Sequence, residues 1–439
     1  MKNVIGIRRE SVDASERRAP LTPDQIARLV NEYGVKVIVQ PSKLRIFSDE
    51  DYKAAGAVVS SDVSSCNLLF GVTGIPLEHI SPRQVYCFFS HTVKAQRYNM
   101  PMLRRIIEAR CTLIDYELVR NDAGERLIFF GDFAGYAGMI DALWALGKRL
   151  ESENIPNPFT ILKQAVAYGS LEEAREAVGR LGQQIRAEGL PDEITPFVCA
   201  FTGRGHASKG AQEVFNLLPA VELRPDDLPT LASTGSYAKK AVYRVEFRQP
   251  DLYEPFDPDA VFNADIFEKR PGSYRGKFHR YAPYLTLLVN AIYWSPRYPR
   301  LLTREHMREL YACKQRPPLK VIADIACDIE GSIEFTFRPT TTENPVYVFE
   351  PVASRIVVGF AGDGPVVLAV DKLAAELPRE SSRSFGDALY GFIPALARAD
   401  FTKSFDELDL PRQFKRAVIV HDGKLTEHFR YLNEYLLRG

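Results

Sequence analysis

The chain has 439 residues, 46% of them apolar and 26% charged, with 56 basic and 56 acidic side chains. That length accommodates two or three domains with sizeable cores. The even charge balance lacks the basic excess that nucleic-acid or membrane-surface binding calls for, so neither partner is expected and the composition is that of a globular enzyme.

The opening MKNVIGIRRE has no long apolar stretch, and no later segment approaches the ~20 apolar residues of a membrane span, so a cytoplasmic protein is expected. Val4 to Ile7 reads as a short buried strand. A helix follows, with Thr22 as N-cap, Pro23 at its first position and Ile26, Leu29 and Val30 as its apolar face. VKVIVQ (35–40) is the next strand, DEDYKAAG a helix, and NLLFGV and VYCFFS two further strands. Strands alternating with helices predict a parallel sheet covered on both faces.

FAGYAGMIDALWALGKRL (133–150) is a small-residue helix, and the Asn- and Pro-rich ENIPNPFT after it reads as a domain junction. Ser170 to Gly189 is an amphipathic helix with a capping-box start and a glycine stop. Phe197 to Phe201 then run as a strand into Gly203-Arg204-Gly205, and Val214, Phe215, Leu217 and Leu218 mark a helix beyond. A strand, glycine turn and helix bring bare amides and the positive helix end to a pyrophosphate. The spacing is imperfect, because Ser208 holds the third small position and Gly210 comes late; alone, the turn reads equally as a structural bend. AVELR (220–224) is the natural second strand of this nucleotide domain. YLTLLVNAIYW and KVIADIACD supply later strands, and 250–281 is a long irregular excursion.

From about Thr336 the runs VYVFE, RIVVGF and PVVLAV are β-rich, and helices over 387–398 and 427–437 close the chain. This tail is expected to pack back on the first domain. The expected division is therefore 1–135 with about 336–439 as substrate domain and 136–335 as dinucleotide-binding Rossmann domain. The six cysteines (Cys66, Cys87, Cys111, Cys199, Cys313, Cys327) stand singly without metal-ligand spacing, read as reduced core residues, and imply no metal site.

Four constellations carry candidate chemistry. IRRESVDASERRAPLTP (7–23) places four arginines and two glutamates at the C-terminal end of the first strand, where open α/β sheets bind ligands; planar guanidiniums suit a carboxylate substrate, and the alternative is a solvated charged loop. FFSHTVKAQRYNMPML (88–103) puts His91 at a strand end with Lys94 one turn on, placed for proton transfer at a carbonyl or imine; a structural histidine is the alternative. IDYELVRNDAGERLIFF brings Glu117 near Arg126 across a turn at 122–124 flanked by two strands, in a site or an ordinary cross-strand ion pair. ADIACDIEGSIEF sets Asp324 and Asp328 at a strand end, to line the coenzyme pocket or to act as caps.

The succession ERRAPLTP, FSHTVKAQ, IDYE, GDFAGYAGMIDAL, FTGRGHASKGAQ, PRLLT, ADIACDIEGSIEF and FGDAL resembles the lysine-2-oxoglutarate reductase domain of the saccharopine-pathway enzymes. More distantly it is similar to lysine-forming saccharopine dehydrogenases and the alanine dehydrogenase family. The likeness implies an α/β fold of two Rossmann-like domains with parallel sheets and a cleft between them. It implies a nicotinamide coenzyme that reduces the imine of the lysine ε-amine and 2-oxoglutarate to saccharopine. By the same resemblance Arg18 and Arg126 hold substrate carboxylates, Glu117 is a polar active-site partner and His91 the acid/base.

Thr73, in FGVTGIP, departs from the pattern, because the family has a lysine there that partners proton transfer. A neutral hydroxyl replaces neither the acid nor the charge of an ammonium. Either His91, with Lys94, performs the proton transfers, or a different amine and oxoacid are joined. Oxidative deamination of a small amino acid and non-catalytic binding of NADP and a metabolite are the competing functions. The expected coenzyme site comprises Gly203, Arg204, Gly205, Ser208, Glu222, Arg224 and Asp324. Glu222 would take a ribose 2′-hydroxyl, whereas Arg224 and Arg204 would take a 2′-phosphate, so NADPH is expected with NADH left open. The substrates are small molecules, and monomer and homo-oligomer both stay open.

Overall fold

The computed structural model describes residues 3–11, 15–313 and 316–436. The chain divides into two compact units, one made of 1–130 with 378–439 and the other of 131–377.

The first unit begins with β1 (Val4–Ile7), α1 (Pro23–Tyr33), β2 (Lys36–Val39), α2 (Asp49–Ala54) and β3 (Val58–Val59). It continues with β4 (Leu68–Phe70), β5 (Val85–Phe88), α3 (Met100–Glu108) and β6 (Thr112–Asp115). The start of α1 is fixed as its sequence dictates: Thr22 and Gln25 form a reciprocal capping box, Pro23 opens the helix, and Gly34 closes it at φ +63°.

The second unit holds α4 (Gly131–Ser152), α5 (Leu171–Glu188), β7 (Val198–Thr202), α6 (His206–Phe215), β8 (Ala220–Leu223) and β9 (Val242–Phe247). The 250–281 excursion is an ordered flap containing the hairpin of β10 (Tyr253–Pro255) and β11 (Tyr274–Gly276). Then come β12 (Leu287–Asn290), β13 (Val321–Asp324), β14 (Val346–Glu350), β15 (Arg355–Val358) and β16 (Val366–Leu368). Its sheet runs β15-β14-β16-β13-β12-β7-β9-β8. The strands from β16 through β8 pair in parallel, and β14 and β15 are antiparallel additions at one edge. Alternate residues of β7 enter opposite cores: Cys199 and Phe201 pack with Leu143, Val178 and Val214, while Val198 and Ala200 pack with Val245, Phe247 and Phe278. Burial on both faces is why these strands read as unbroken apolar runs.

The β-rich runs after Thr336 therefore do not return to the first unit. They extend the nucleotide sheet, and the return begins at Pro378 with α7 (Pro378–Tyr390). β17 (Val418–His421) and β18 (Lys424–Leu425) then complete the first sheet, β18-β17-β6-β5-β4-β1-β2-β3, which is parallel except for those two strands. The expected closing helix over 427–437 is a 3-10 turn, Glu427–Leu432, and a short helix, Asn433–Leu436, with residue 437 outside the described residues. Parallel strands need covered crossovers whereas antiparallel edge strands need only short turns. That is how β14 and β15 join a Rossmann sheet without further helices.

Candidate active site

In the first unit, the candidate residues gather where β1, β4, β5 and β6 end. The charged loop after β1 is not simply solvated: Arg8, Glu10, Glu16 and Arg18 are buried, while Arg9 and Arg17 are exposed. Glu10 pairs with Arg8 at 3.1 Å and accepts the Val72 amide at 2.8 Å, the Thr73 amide at 3.1 Å and the Thr73 hydroxyl at 2.6 Å. Arg8 also donates to the carbonyls of Thr73 and Gly74. Its path is open because residue 71 is glycine; a Cβ there would lie 2.3 Å from Arg8 Nε. Thr73 is thus a hydrogen-bond donor to a buried carboxylate whose charge Arg8 meets.

Glu117 lies on the 3-10 turn Tyr116–Leu118 that follows β6 directly. His91 Nδ1 stands 3.5 Å from Glu117 Oε2, and its ring stacks on Phe89 at 6.1 Å. The nearby His91 ring holds the Glu117 carboxyl below its ordinary range, with help from Arg126 and Lys94 and against the effect of burial. Arg126 faces Phe89 at 5.8 Å, and its Nε has no hydrogen-bond partner among the described residues. A half-buried guanidinium with an unused donor can take up a carboxylate. The expected strand pair around 122–124 is a single bridge between Arg120 and Arg126, closed by the turn from Asn121 to Glu125. Lys94 is exposed on the loop beyond His91.

Arg18 lies 4.1 Å over Phe130, with Nε and one terminal nitrogen committed to Glu16 at 2.8 and 2.6 Å. Its charge is therefore already balanced, and any carboxylate it receives shares it with Glu16.

In the second unit, Gly203 ends β7 at φ +83°, and a Cβ there would lie 2.4 Å from the Ala291 carbonyl oxygen. Gly205 caps α6, with nothing within 4 Å of its Cβ direction. The turn is closed behind and open in front, which fits a pyrophosphate against the amides of α6. The late Gly210 serves packing: a Cβ would meet the Asp132 carbonyl of α4 at 2.4 Å, just as one at Gly135 would meet the Ala207 carbonyl at 2.0 Å. Ser208 is wholly buried and takes a hydrogen bond from Gln212 at 3.2 Å.

The strand order places the expected Glu222 and Arg224 away from the glycine turn. β8 is the edge strand, and β9 lies between it and β7. Glu222 and Arg224 are one strand further out than expected, with Glu222 bound to Arg244 at 2.7 Å and Arg224 exposed beside Asp227. The acid at the tip of the strand next to the glycine turn is Glu246, which lies 3.3 Å from Arg204 Nε and 4.0 Å from Arg248 Nε. In sequence, VYRVEFR carries the signal of a strand ending in acid and base, but choosing between β8 and β9 requires the pairing.

Asp324 is fully enclosed. It accepts Asn290 Nδ2 at 2.7 Å and the Thr336 hydroxyl at 2.6 Å, Asn290 in turn accepting from Thr202. Burial pushes its carboxyl up to about 6. The residue ties together the tips of β7, β12 and β13 and is not open to a ligand.

Comparison with known proteins places this geometry. The family described as alanine dehydrogenase/PNT matches twice, its N-terminal domain over residues 6–137 and its C-terminal domain over residues 275–428. The chain is 41% identical to an alpha-aminoadipic semialdehyde synthase of Arabidopsis thaliana, over 98% of its own length and 41% of that protein. It is 36% identical to the mitochondrial protein of that name from Mus musculus, over 99% and 48%. It thus spans less than half the length of these relatives. With the lysine-forming saccharopine dehydrogenase [NAD(+)] of Yarrowia lipolytica it shares 25% identity over 88% of this chain and 90% of that one. Among solved structures, an L-alanine dehydrogenase aligns over 99% of both chains with TM-score 0.62 and 17% identity. A transhydrogenase from Sinorhizobium meliloti aligns over 96% of this chain and all of its own, with TM-score 0.58 and 16% identity, and in both the likeness is one of fold.

Proposed function

As the chain belongs to the lysine-2-oxoglutarate reductase (lysine-forming saccharopine dehydrogenase) family, we propose that it reduces the imine formed by the ε-amine of lysine and the ketone of 2-oxoglutarate. The observation that carries this reading is the meeting of His91, Glu117 and Arg126 beyond β5 and β6, with an unused Nε on Arg126. A bound nicotinamide would supply the hydride for the imine carbon. His91 gives the proton to the imine nitrogen, Glu117 orients the imidazole, and Arg126 holds a carboxylate of the oxoacid. Arg18, shared with Glu16, serves a second carboxylate.

The coenzyme we assign is NADPH. Arg204 and Arg248 both approach Glu246 beside the glycine turn, and a 2′-phosphate would recruit the two guanidiniums in place of that carboxylate.

Thr73 supports a second reading, in which a related amine and oxoacid are joined. Its hydroxyl is spent on Glu10, so no ammonium stands at that point to assist proton transfer. A screen of NADPH oxidation with different amino acids against 2-oxoglutarate, pyruvate and glyoxylate separates the readings. Highest kcat/KM for lysine with 2-oxoglutarate supports the first; preference for another pair replaces it with the second. Turnover with ammonia as the amine would move the chain to oxidative deamination, and coenzyme binding without turnover would make it a sensor.

A further inference from the structure

We propose that Asp115 is the positioning residue of the His91–Glu117 pair, its two carboxylate oxygens holding the backbone on either side of that pair. The proposal rests on the reading of His91 as the acid/base.

Asp115 is the last residue of β6 and lies in register with Phe88, the last residue of β5. Its Oδ1 accepts the Glu117 amide at 2.8 Å. Its Oδ2 accepts both the Ser90 amide at 3.0 Å and the Ser90 hydroxyl at 2.5 Å. Because the Ser90 proton is directed to Asp115, the Thr92 hydroxyl, 2.8 Å away, donates to Ser90 Oγ. One carboxylate therefore fixes the residues before and after His91 and the amide of Glu117. Asp115 and Thr92 are fully buried and Ser90 nearly so, whereas the His91 side chain is 61% exposed. The supports are enclosed and the acting group is presented.

Two features show that this is more than a turn cap. His91 has φ +53°, in the left-handed region, which a residue with a Cβ disfavours and which persists only where neighbours impose it. A buried carboxylate, moreover, is an expensive way to satisfy two amides, since asparagine or serine caps turns without burying charge. The titratable and charged groups facing Asp115 are His91, Glu117, the Cys87 thiol and Arg126. Burial raises the Asp115 carboxyl above its usual range, while the Ser90 and Glu117 donors and the nearby His91 act against that rise, so the carboxyl and the imidazole are electrostatically coupled.

The test uses the full chain with Asp115→Asn and Ser90→Ala. Asparagine offers one acceptor and turns an NH2 toward donors, so one flank of the pair is released. We expect kcat to fall on the order of 100-fold in Asp115→Asn, with coenzyme KM unchanged and the alkaline limb of the pH–rate profile, where the proton-donating imidazole is lost, moved to lower pH. Ser90→Ala keeps the amide contact and should lose activity in the same direction by roughly tenfold. In coenzyme-free protein, the NMR titration of the His91 Cε1–H resonance should move to lower pH in Asp115→Asn, which loses the carboxylate charge, and should change in Ser90→Ala, which loosens that carboxylate. If no amine and oxoacid turn over, the assigned reaction fails by itself, and the NMR titration still decides the role of Asp115. An unmoved titration and pH profile in folded variants overturn the proposal, as does a kcat loss matched by loss of coenzyme binding. Should Asp115→Asn not fold, the outcome rests on Ser90→Ala.

Discussion

At the scale of single residues, Thr73 and Asp324 show how neighbours set chemistry. Thr73 donates to Glu10, whose charge Arg8 already meets, so a lysine introduced there would find a carboxylate within reach. Thr73→Lys should raise lysine-dependent NADPH oxidation, roughly tenfold if the missing proton-transfer partner limits the rate; an unchanged rate, with another amine turning over, would favour the second reading. Asp324 makes a thermodynamic prediction. Its folded carboxyl titrates near 6 instead of 3.8, so the folded state holds the proton more tightly and stability falls as pH rises through about 4 to 6. The shift corresponds to about 3 kcal/mol. Denaturant melts across this window should show the parent losing that much relative to Asp324→Asn, with a flat difference above it; a pH-independent difference would contradict the assignment. The placement of His91 was legible from its strand-end position, and the approach of Glu117 to Arg126 from the turn between them. The pairing of Arg18 with Glu16 was not, because the loop's closure depends on contacts such as Ala19 with Ser382, 363 residues away.

At the scale of elements, helix boundaries were readable because caps are local: Thr22, Ser170 and Gly189 act within one turn of their own helices. Strand order was not readable. AVELR and VYRVEF are both short β-prone runs after a crossover, and which one lies beside β7 depends on how the loop and helix between them pack. The acid beside the glycine turn is therefore Glu246 and not Glu222. This relocation gives a discriminating variant. Glu246→Gln removes a negative charge from beside the expected 2′-phosphate while leaving Arg204 and Arg248 in place. NADPH should bind roughly tenfold more tightly and NADH more weakly, as read by coenzyme fluorescence titration. Equal changes for both coenzymes would remove Glu246 from the ribose site.

For the molecule as a whole, the sequence showed two α/β domains but misplaced one border. Residues 336–377 belong to the nucleotide sheet because β14 pairs with β16 and β16 with β13, a long-range fact that β-rich composition cannot express. The second unit is consequently one continuous span, 131–377, with cores on both sheet faces. Expressed alone, that span should fold cooperatively and retain coenzyme binding. A span of 136–335, lacking β14 and β16 and the first turn of α4, should not. Comparable binding by both fragments would contradict the partition.

The measurement that bears most directly on the proposed reaction is product identification with purified full chain, lysine, 2-oxoglutarate and NADPH. The account predicts one NADPH oxidised per molecule of product, dependence on both substrates, and a secondary amine linking the lysine ε-nitrogen to the former ketone carbon, seen by mass spectrometry and NMR. NADPH oxidation that needs only one of the two substrates, or a secondary amine formed only from a different amine and oxoacid, would contradict it.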